Sequence, residues 1–245
     1  RQFATVEQTY GMYVKVRFDD STEDAVKVAP TDYQKWGECS CLVNLSAGAH
    51  TIAFLGELKP GVADASTVVD MVSLESYYDI NLVPNASFEE GTVIPNGNYV
   101  TNVDPDYHTS LWHGGILTAG GEGLTFCLPD MYDGRYGMAL HREYPSTELD
   151  FTVPIGGKFQ LSFAGVSRKQ EAQLSCKNTV TAYIDDEPIA SLLPESYASW
   201  TKTSGKIKLQ AGTHHLRFTG VTPGGIDSST VIDGVVLQAL PAKGL

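Results

Sequence analysis

Alternation of apolar and polar positions dominates this chain. ELDFTV (Glu148–Val153) and GKFQLSFAGV (Gly157–Val166) place apolar residues at every second position and stop at Gly or Pro signals, which is the pattern of half-buried strands. YVKVRFDDS (Tyr13–Ser21) and VTAYIDDEP (Val180–Pro188) alternate in the same way and then run into an Asp-Asp turn. STVVDMVSL (Ser66–Leu74) and STVIDGVVL (Ser229–Leu237) also read as strands, each with a lone carboxylate at its centre, Asp70 and Asp233. Helical periodicity is nearly absent, and the best window, around Ser167–Ala172, is short. The pattern predicts an all-β chain of short strands, a β-sandwich.

The near-identity of the two nine-residue phrases is part of a longer repeat. YQKWGECSCLVNLSAGAHTIAFLG (Tyr33–Gly56) aligns without a gap on YASWTKTSGKIKLQAGTHHLRFTG (Tyr197–Gly220). Trp36 falls on Trp200, His50 on His214 and Phe54 on Phe218, a period of about 164 residues. Each copy predicts a strand, an acidic turn, a strand opening at Trp, a hairpin through AG(A/T)H and a closing strand with the central Asp. The second copy has more before it. Asn81–Arg168 has no counterpart in the first copy, which starts in what would be the middle of a domain. Residues 1–78 therefore read as the C-terminal part of a first sandwich, and residues 79–245 as a complete second one. Half a sandwich exposes apolar faces and strand edges, so a neighbouring copy or an upstream segment is expected to complete it.

The motifs of the second copy resemble those of the jelly-roll carbohydrate-binding modules of extracellular bacterial proteins and of galactose-binding-like sandwiches. The opening NASFEEG (Asn85–Gly91), the GKFQLSF strand with Phe159, the Trp200–Phe218 segment and the closing VIDGVVL occur in that order, and the later ones recur in the first copy. The resemblance implies a non-catalytic module that binds a glycan. It also implies a structural calcium beside the first and last strands, with Glu89, Glu90 and Asp233 as ligands and Asn85 as a further oxygen donor. Calcium takes six to eight oxygens, with carboxylates to neutralise it. The alternative for Asp233 is acceptance of backbone N–H groups from an adjacent loop, since a buried carboxylate must be paired or hydrogen-bonded.

Composition narrows the partners. The formal charge of −12 opposes binding to nucleic acid, which needs Lys and Arg against phosphate. No apolar run of about 18 residues is present, so no membrane insertion is expected. The chain opens on Arg1 with no secretory leader, which fits a mature secreted product or part of a longer protein. Two sequons, at Asn44 and Asn85, fit a secreted or cell-surface setting. Cys39 and Cys41 lie two apart on a predicted strand, a spacing that disfavours a bond between them. Cys127 and Cys176 form a possible staple within one domain, the alternative being four buried thiols.

Sugar recognition needs flat aromatic faces and a few polar groups. The candidates are Tyr132, Arg135 and Tyr136 in MYDGRYG (Met131–Gly137), then Tyr107, His108, Trp112 and His113. A core position is the competing assignment for Trp112, and Trp36 and Trp200 are expected in cores. Catalytic motifs are missing: there is no GxSxG, HExxH, P-loop or Cys/His nucleophile context. A glycosidase carboxylate pair has no local signature to look for. Asp185, Asp186 and Glu187 read as turn chemistry because Asp19 and Asp20 repeat it, and His50 gives His214 a structural role. The reading is a glycan-binding module pair. The alternative is a structural subunit of a filament, stalk or surface layer built from stacked sandwiches.

Overall fold

A computed structural model describes residues 12–29, 36–46, 48–62, 65–90, 94, 99–101, 111–120, 128–168, 178–221 and 228–241. The chain divides into two compact units, Arg1–Leu74 and Glu75–Leu245. All regular structure among the described residues is β, and no helix there is long and apolar enough to cross a membrane. The predicted turn of helix near Ser167 begins as strand and continues into residues outside the described set.

The first unit holds one antiparallel sheet of three strands: β1 (Met12–Phe18), β2 (Val26–Val28) and β3 (Ile52–Leu58), in the order β2-β1-β3. The Asp-Asp turn works through its first residue. Asp19 sits at φ 55, a left-handed conformation that Asp tolerates, and its N–H donates to Thr51 O at 2.7 Å.

The second unit carries β4 (Val100–Thr101), β5 (His113–Gly114), β6 (Ile116–Ala119), β7 (Tyr136–His141), β8 (Ser146–Val153), β9 (Gly157–Ser167), β10 (Thr179–Ile184), β11 (Glu187–Leu192), β12 (Thr201–Leu209), β13 (Gly212–Val221) and β14 (Ser229–Leu240). These form a five-stranded sheet, β11-β10-β13-β8-β5, and a six-stranded sheet, β12-β9-β14-β7-β6-β4. Alternate residues of both sheets meet in one core: Leu149, Phe151, Leu216 and Phe218 from the first, Leu140, Phe159, Phe163 and Ile232 from the second. Phe163 meets Phe218 edge to face, with ring centroids 5.0 Å apart. This is a two-layer β-sandwich, and the alternation in ELDFTV and GKFQLSF is its inner face.

Several expectations need correction. The AG(A/T)H segment of the second copy is an arch and not a hairpin. Before it β12 pairs with β9, and after it β13 pairs with β10 and β8, so the chain changes sheets there. The opening Asn81–Glu90 segment is no strand, although it runs beside β14: Leu82 N–H donates to Leu237 O and Val235 N–H to Ala86 O. Ser66–Leu74 and the stretch holding Cys39 and Cys41 are not strands either. A strand needs a neighbour to bond to, and the first unit supplies none to them among the described residues. Cys39 and Cys41 are exposed; Cys127 and Cys176 lie outside the described residues. Trp36 is 71% exposed, and Trp200 is half-buried on the outer side of the six-stranded sheet. Neither is a core residue.

The repeat allows a matched test of packing. Phe218 is fully buried, 5.0 Å from the Phe163 ring centroid and 6.0 Å from that of Trp112, whereas its counterpart Phe54 is 42% exposed. Phe218→Ala should cost the second unit about 3–5 kcal/mol in urea unfolding. Phe54→Ala should cost about 1 kcal/mol or less. Equal costs would mean that the two sheets are covered alike.

Candidate functional site

Successive residues of a strand face opposite sides of a sheet. In β7, Met138 and Leu140 enter the main core while Ala139 points the other way; in β14, Ile232 enters the core while Val231 points outward. Ala139 and Val231 join Ile116, Leu128 and Val166 in a small apolar layer on the outer face of the six-stranded sheet. Met131, Tyr144 and Trp200 lie against that layer. The Met131–Gly137 segment crosses this outer face.

Two carboxylates hold the loop. Asp233 Oδ2 accepts the Asp133 N–H at 2.8 Å, and Oδ1 accepts the Gly234 N–H at 2.6 Å. Glu89 Oε1 accepts the Arg135 N–H at 2.6 Å and the Tyr136 N–H at 2.7 Å. Gly134 has φ 73, and a Cβ there would collide with the Glu89 carboxylate. Gly234, at φ 57 beside the irregularity in β14, lies so close to the Tyr132 ring that a Cβ would overlap it. The motif residues thus shape the loop: Glu89 of the opening segment and Asp233 of the closing strand grip it from two sides.

Tyr132 of the loop pairs with Trp200, which lies just before β12. Tyr132 is 39% exposed and meets Trp200 edge to face, with centroids 6.0 Å apart. The Trp200 indole N–H donates to Asp130 O at 2.9 Å, which sets the ring's orientation. Lys202 Nζ lies 4.6 Å from the Tyr132 ring centroid. Arg135 is exposed, with its guanidinium 5.4 Å from the Tyr136 ring centroid. Two partly exposed rings and the Lys202 ammonium therefore share one patch.

The sequence candidates fare differently. Tyr132 is exposed on the patch, and Arg135 is exposed beside Tyr136. Tyr136 is 6% exposed, with its side chain in the main core at the head of β7, because it begins the core-facing series Tyr136, Met138, Leu140. Trp112 is 1% exposed, its ring tilted against Phe88 with centroids 4.9 Å apart, and its indole N–H donates to Asn85 O at 3.0 Å. Neither offers a face to a ligand. Tyr107 and His108 lie outside the described residues; His113 is exposed at the start of β5. Trp200 and Lys202 were not anticipated. A signal was present: Trp200 shares its parity with Lys202, Ser204, Lys206 and Lys208, the solvent side of β12.

Calcium must be judged from the oxygens. Both Asp233 oxygens and Glu89 Oε1 face amide N–H groups, and Glu90 is exposed. Asn85 uses its side chain on the backbone of Glu90, Nδ2 donating to O and Oδ1 accepting from N. Among the described residues no group of three or more His, Cys, Asp or Glu is arranged to hold a metal ion. The calcium expectation gains no support from this arrangement, and no role is assigned to a metal. Burial, helped by the carboxylates of Asp133 and Glu89, pushes the Asp233 carboxyl up to about 7 against the pull of its two amides.

The repeated histidines form matching clamps. His50 Nδ1 lies 2.9 Å from Asp19 Oδ2 and its Nε2 2.8 Å from Ser46 O. His214 Nδ1 lies 2.6 Å from Asp185 Oδ2 and its Nε2 2.9 Å from Gln210 O. Each turn Asp also accepts the following backbone N–H, from Thr51 or His215. Burial alone would lower the His214 pKa, but Asp185 and the Gln210 carbonyl raise it overall. A raised His pKa stabilises the fold fully below the unfolded value of about 6.5 and loses that contribution as pH rises through the folded value. His214→Gln should therefore flatten part of the stability loss seen above pH 6.5. A thermal melt series across pH 5–8 checks it; an unchanged slope would show that the clamp does not titrate with folding.

No protein-family model matches the chain, and no curated protein does. Solved structures with a similar backbone include TmCBM61 in complex with β-1,4-galactotriose, at 14% identity and a TM-score of 0.42, covering 66% of this chain and 100% of that one. A family 35 carbohydrate-binding module from Clostridium thermocellum gives 11% identity and a TM-score of 0.35, with coverage of 58% and 97%. The Stig cyclase Fisc from Fischerella sp. TAU gives 18% identity and a TM-score of 0.42, with coverage of 66% and 98%. The chain's structural neighbours thus include carbohydrate-binding modules, the class its motifs resemble, together with a cyclase.

Proposed function

We propose that the second unit is a non-catalytic carbohydrate-binding module whose ligand lies on the outer face of the six-stranded sheet, against Tyr132 and Trp200. The observation that supports this reading is the partly exposed Tyr132–Trp200 pair, Tyr132 lying on a loop pinned by three backbone N–H hydrogen bonds to carboxylates. Aromatic faces stack against the C–H faces of a sugar ring, and Lys202 supplies a hydrogen-bond donor for hydroxyls. A patch preorganised in this way loses little freedom on binding. Glu89 and Asp233 act on the loop backbone, which is a positioning role and not acid–base chemistry. The reading carries with it a secreted or cell-surface location, where such glycans are met.

The test is a glycan array probed with the full chain, followed by calorimetric titration of any hit. Specific binding that Tyr132→Ala and Trp200→Ala both weaken supports the site. Silence across the array, or binding indifferent to both substitutions, overturns it.

A further inference from the structure

The outer face of the six-stranded sheet gathers the lysines of the second unit. Lys202, Lys206 and Lys208 of β12 are exposed, and so is Lys158 of β9. These four are every lysine described in that unit. The ladders set their neighbours: Lys206 stands opposite Gln160, Lys208 opposite Lys158, and Gln160 in turn opposite Gln238 of β14. The strands β9, β12 and β14 hold one carboxylate between them, Asp233, which is fully buried and accepts backbone N–H groups. The ion pairs described in the second unit use Arg142, His214, His215 and Arg217, and none of these lysines.

Lys158 and Lys208 are the informative pair. Directly opposite residues of antiparallel strands hold their Cβ atoms about 4.5–5.5 Å apart, and like charges there are destabilising. The first unit contains the same arrangement together with its neutralising partner. Lys15 of β1 stands opposite Lys27 of β2, and Glu57 of β3 forms ion pairs with both. No described side chain does this for Lys158 and Lys208. Lysines on an edge strand discourage unwanted strand pairing, and β12 is an edge of its sheet. Lys158, however, lies on β9, which is paired on both sides, and guards no edge.

We propose that this lysine row extends the glycan site and that the glycan is an acidic polysaccharide, one bearing carboxylate or sulfate groups. The proposal rests on the glycan reading of the Tyr132–Trp200 pair. Lys202 joins the two regions: its Nζ lies 4.6 Å from the Tyr132 ring centroid, and Lys206 and Lys208 continue the same side of β12. At about 3.4 Å per residue, Lys208 lies about 20 Å along the strand from Lys202, which is room for a chain of several sugars. Acidic groups of that chain meet the lysines and relieve their repulsion. Its hydroxyls meet Gln160 and Gln238, which are half-buried beside the row. Amides interleaved with the cations, next to an aromatic pair, favour an acidic glycan over a nucleic acid.

Titration calorimetry on the full chain tests this with oligogalacturonate, a sulfated galactan and a neutral galactan, each at low and high salt. An acidic probe should bind on the order of tenfold more tightly than the neutral one at low salt, and should lose that advantage as salt screens the lysines. Whichever acidic probe leads identifies carboxylate or sulfate as the group recognised. The combined variant Lys158→Gln, Lys206→Gln, Lys208→Gln should abolish the preference and its salt dependence. It should melt no lower than wild type, since it removes a repulsion; a lower melting temperature would assign the lysines to the fold and overturn the proposal. Equal binding of acidic and neutral probes, or an acidic preference that the variant keeps, also overturns it and leaves the glycan site standing. Acidic binding indifferent to Tyr132→Ala overturns the link between the row and that site. Duplex DNA that binds as tightly as the acidic glycans overturns it in favour of a general polyanion surface. Silence from every probe overturns it together with the reading on which it rests.

Discussion

Replacing Tyr132 with Ala is expected to weaken glycan binding about tenfold or more, the equivalent of about 1.4 kcal/mol, which is near the upper end of what one well-placed aromatic contact contributes. Trp200→Ala should do at least as much, since it removes the larger ring and releases the edge that positions Tyr132. The two losses should not add, because the rings touch and each orients the other. Tyr132→Phe should retain most of the affinity if stacking dominates. Glu89→Ala offers a separate check. It removes an acceptor from two loop amides without touching the patch surface. Weaker binding with an intact fold would show that loop preorganisation contributes to affinity. Titration calorimetry reads each of these, and a Tyr132→Ala variant with wild-type affinity would remove the loop from the site.

The second large effect concerns Asp233. Its folded pKa of about 7 lies above the ordinary value of 3.8. The protonated form is favoured by folding, so this group's contribution is fully present below about pH 3.8 and is lost as pH rises through about 7. In chelator-treated buffer the second unit should gain about 2 kcal/mol between pH 8 and pH 5.5 from this group. The raised pKa values of His214 and His215 act in the same direction, so Asp233→Asn isolates the share of Asp233 by removing it. Asp233→Ala should cost a further 2 kcal/mol or so at pH 6, because the Asp133 and Gly234 amides lose their acceptor. Chelator itself should leave the melting temperature unchanged. A chelator-induced drop, with stability that rises with pH, would instead place a cation on these carboxylates.

Much of the candidate site was half-legible. MYDGRYG announced a loop with two Tyr and an Arg, and parity distinguishes them once the strand start is known. Tyr136 is the first residue of β7 and turns inward, while Tyr132 stays out. Trp200 was obscured by its twin, Trp36, because repetition suggests structure. Its parity with the lysines of β12 was the better guide. The central Asp was conspicuous in both copies, yet its partner, the Asp133 amide, lies a hundred positions away, and no local pattern names such a partner.

From sequence alone come the β class, the inner faces of β8, β9, β10 and β13, and the repeated Asp turn. All of these rest on period-two alternation or on local turn chemistry, which depend on near neighbours in the chain. Tertiary structure decided the rest. It turned an expected hairpin into an arch between sheets, put Trp200 beside Tyr132, and left STVVDMVSL open while burying STVIDGVVL. The two phrases are nearly the same, and the difference lies in their surroundings. A strand becomes a strand, and its apolar face becomes core, when other strands lie beside and across from it. The second unit supplies those strands to Ser229–Leu237, and among its described residues the first unit supplies none to Ser66–Leu74.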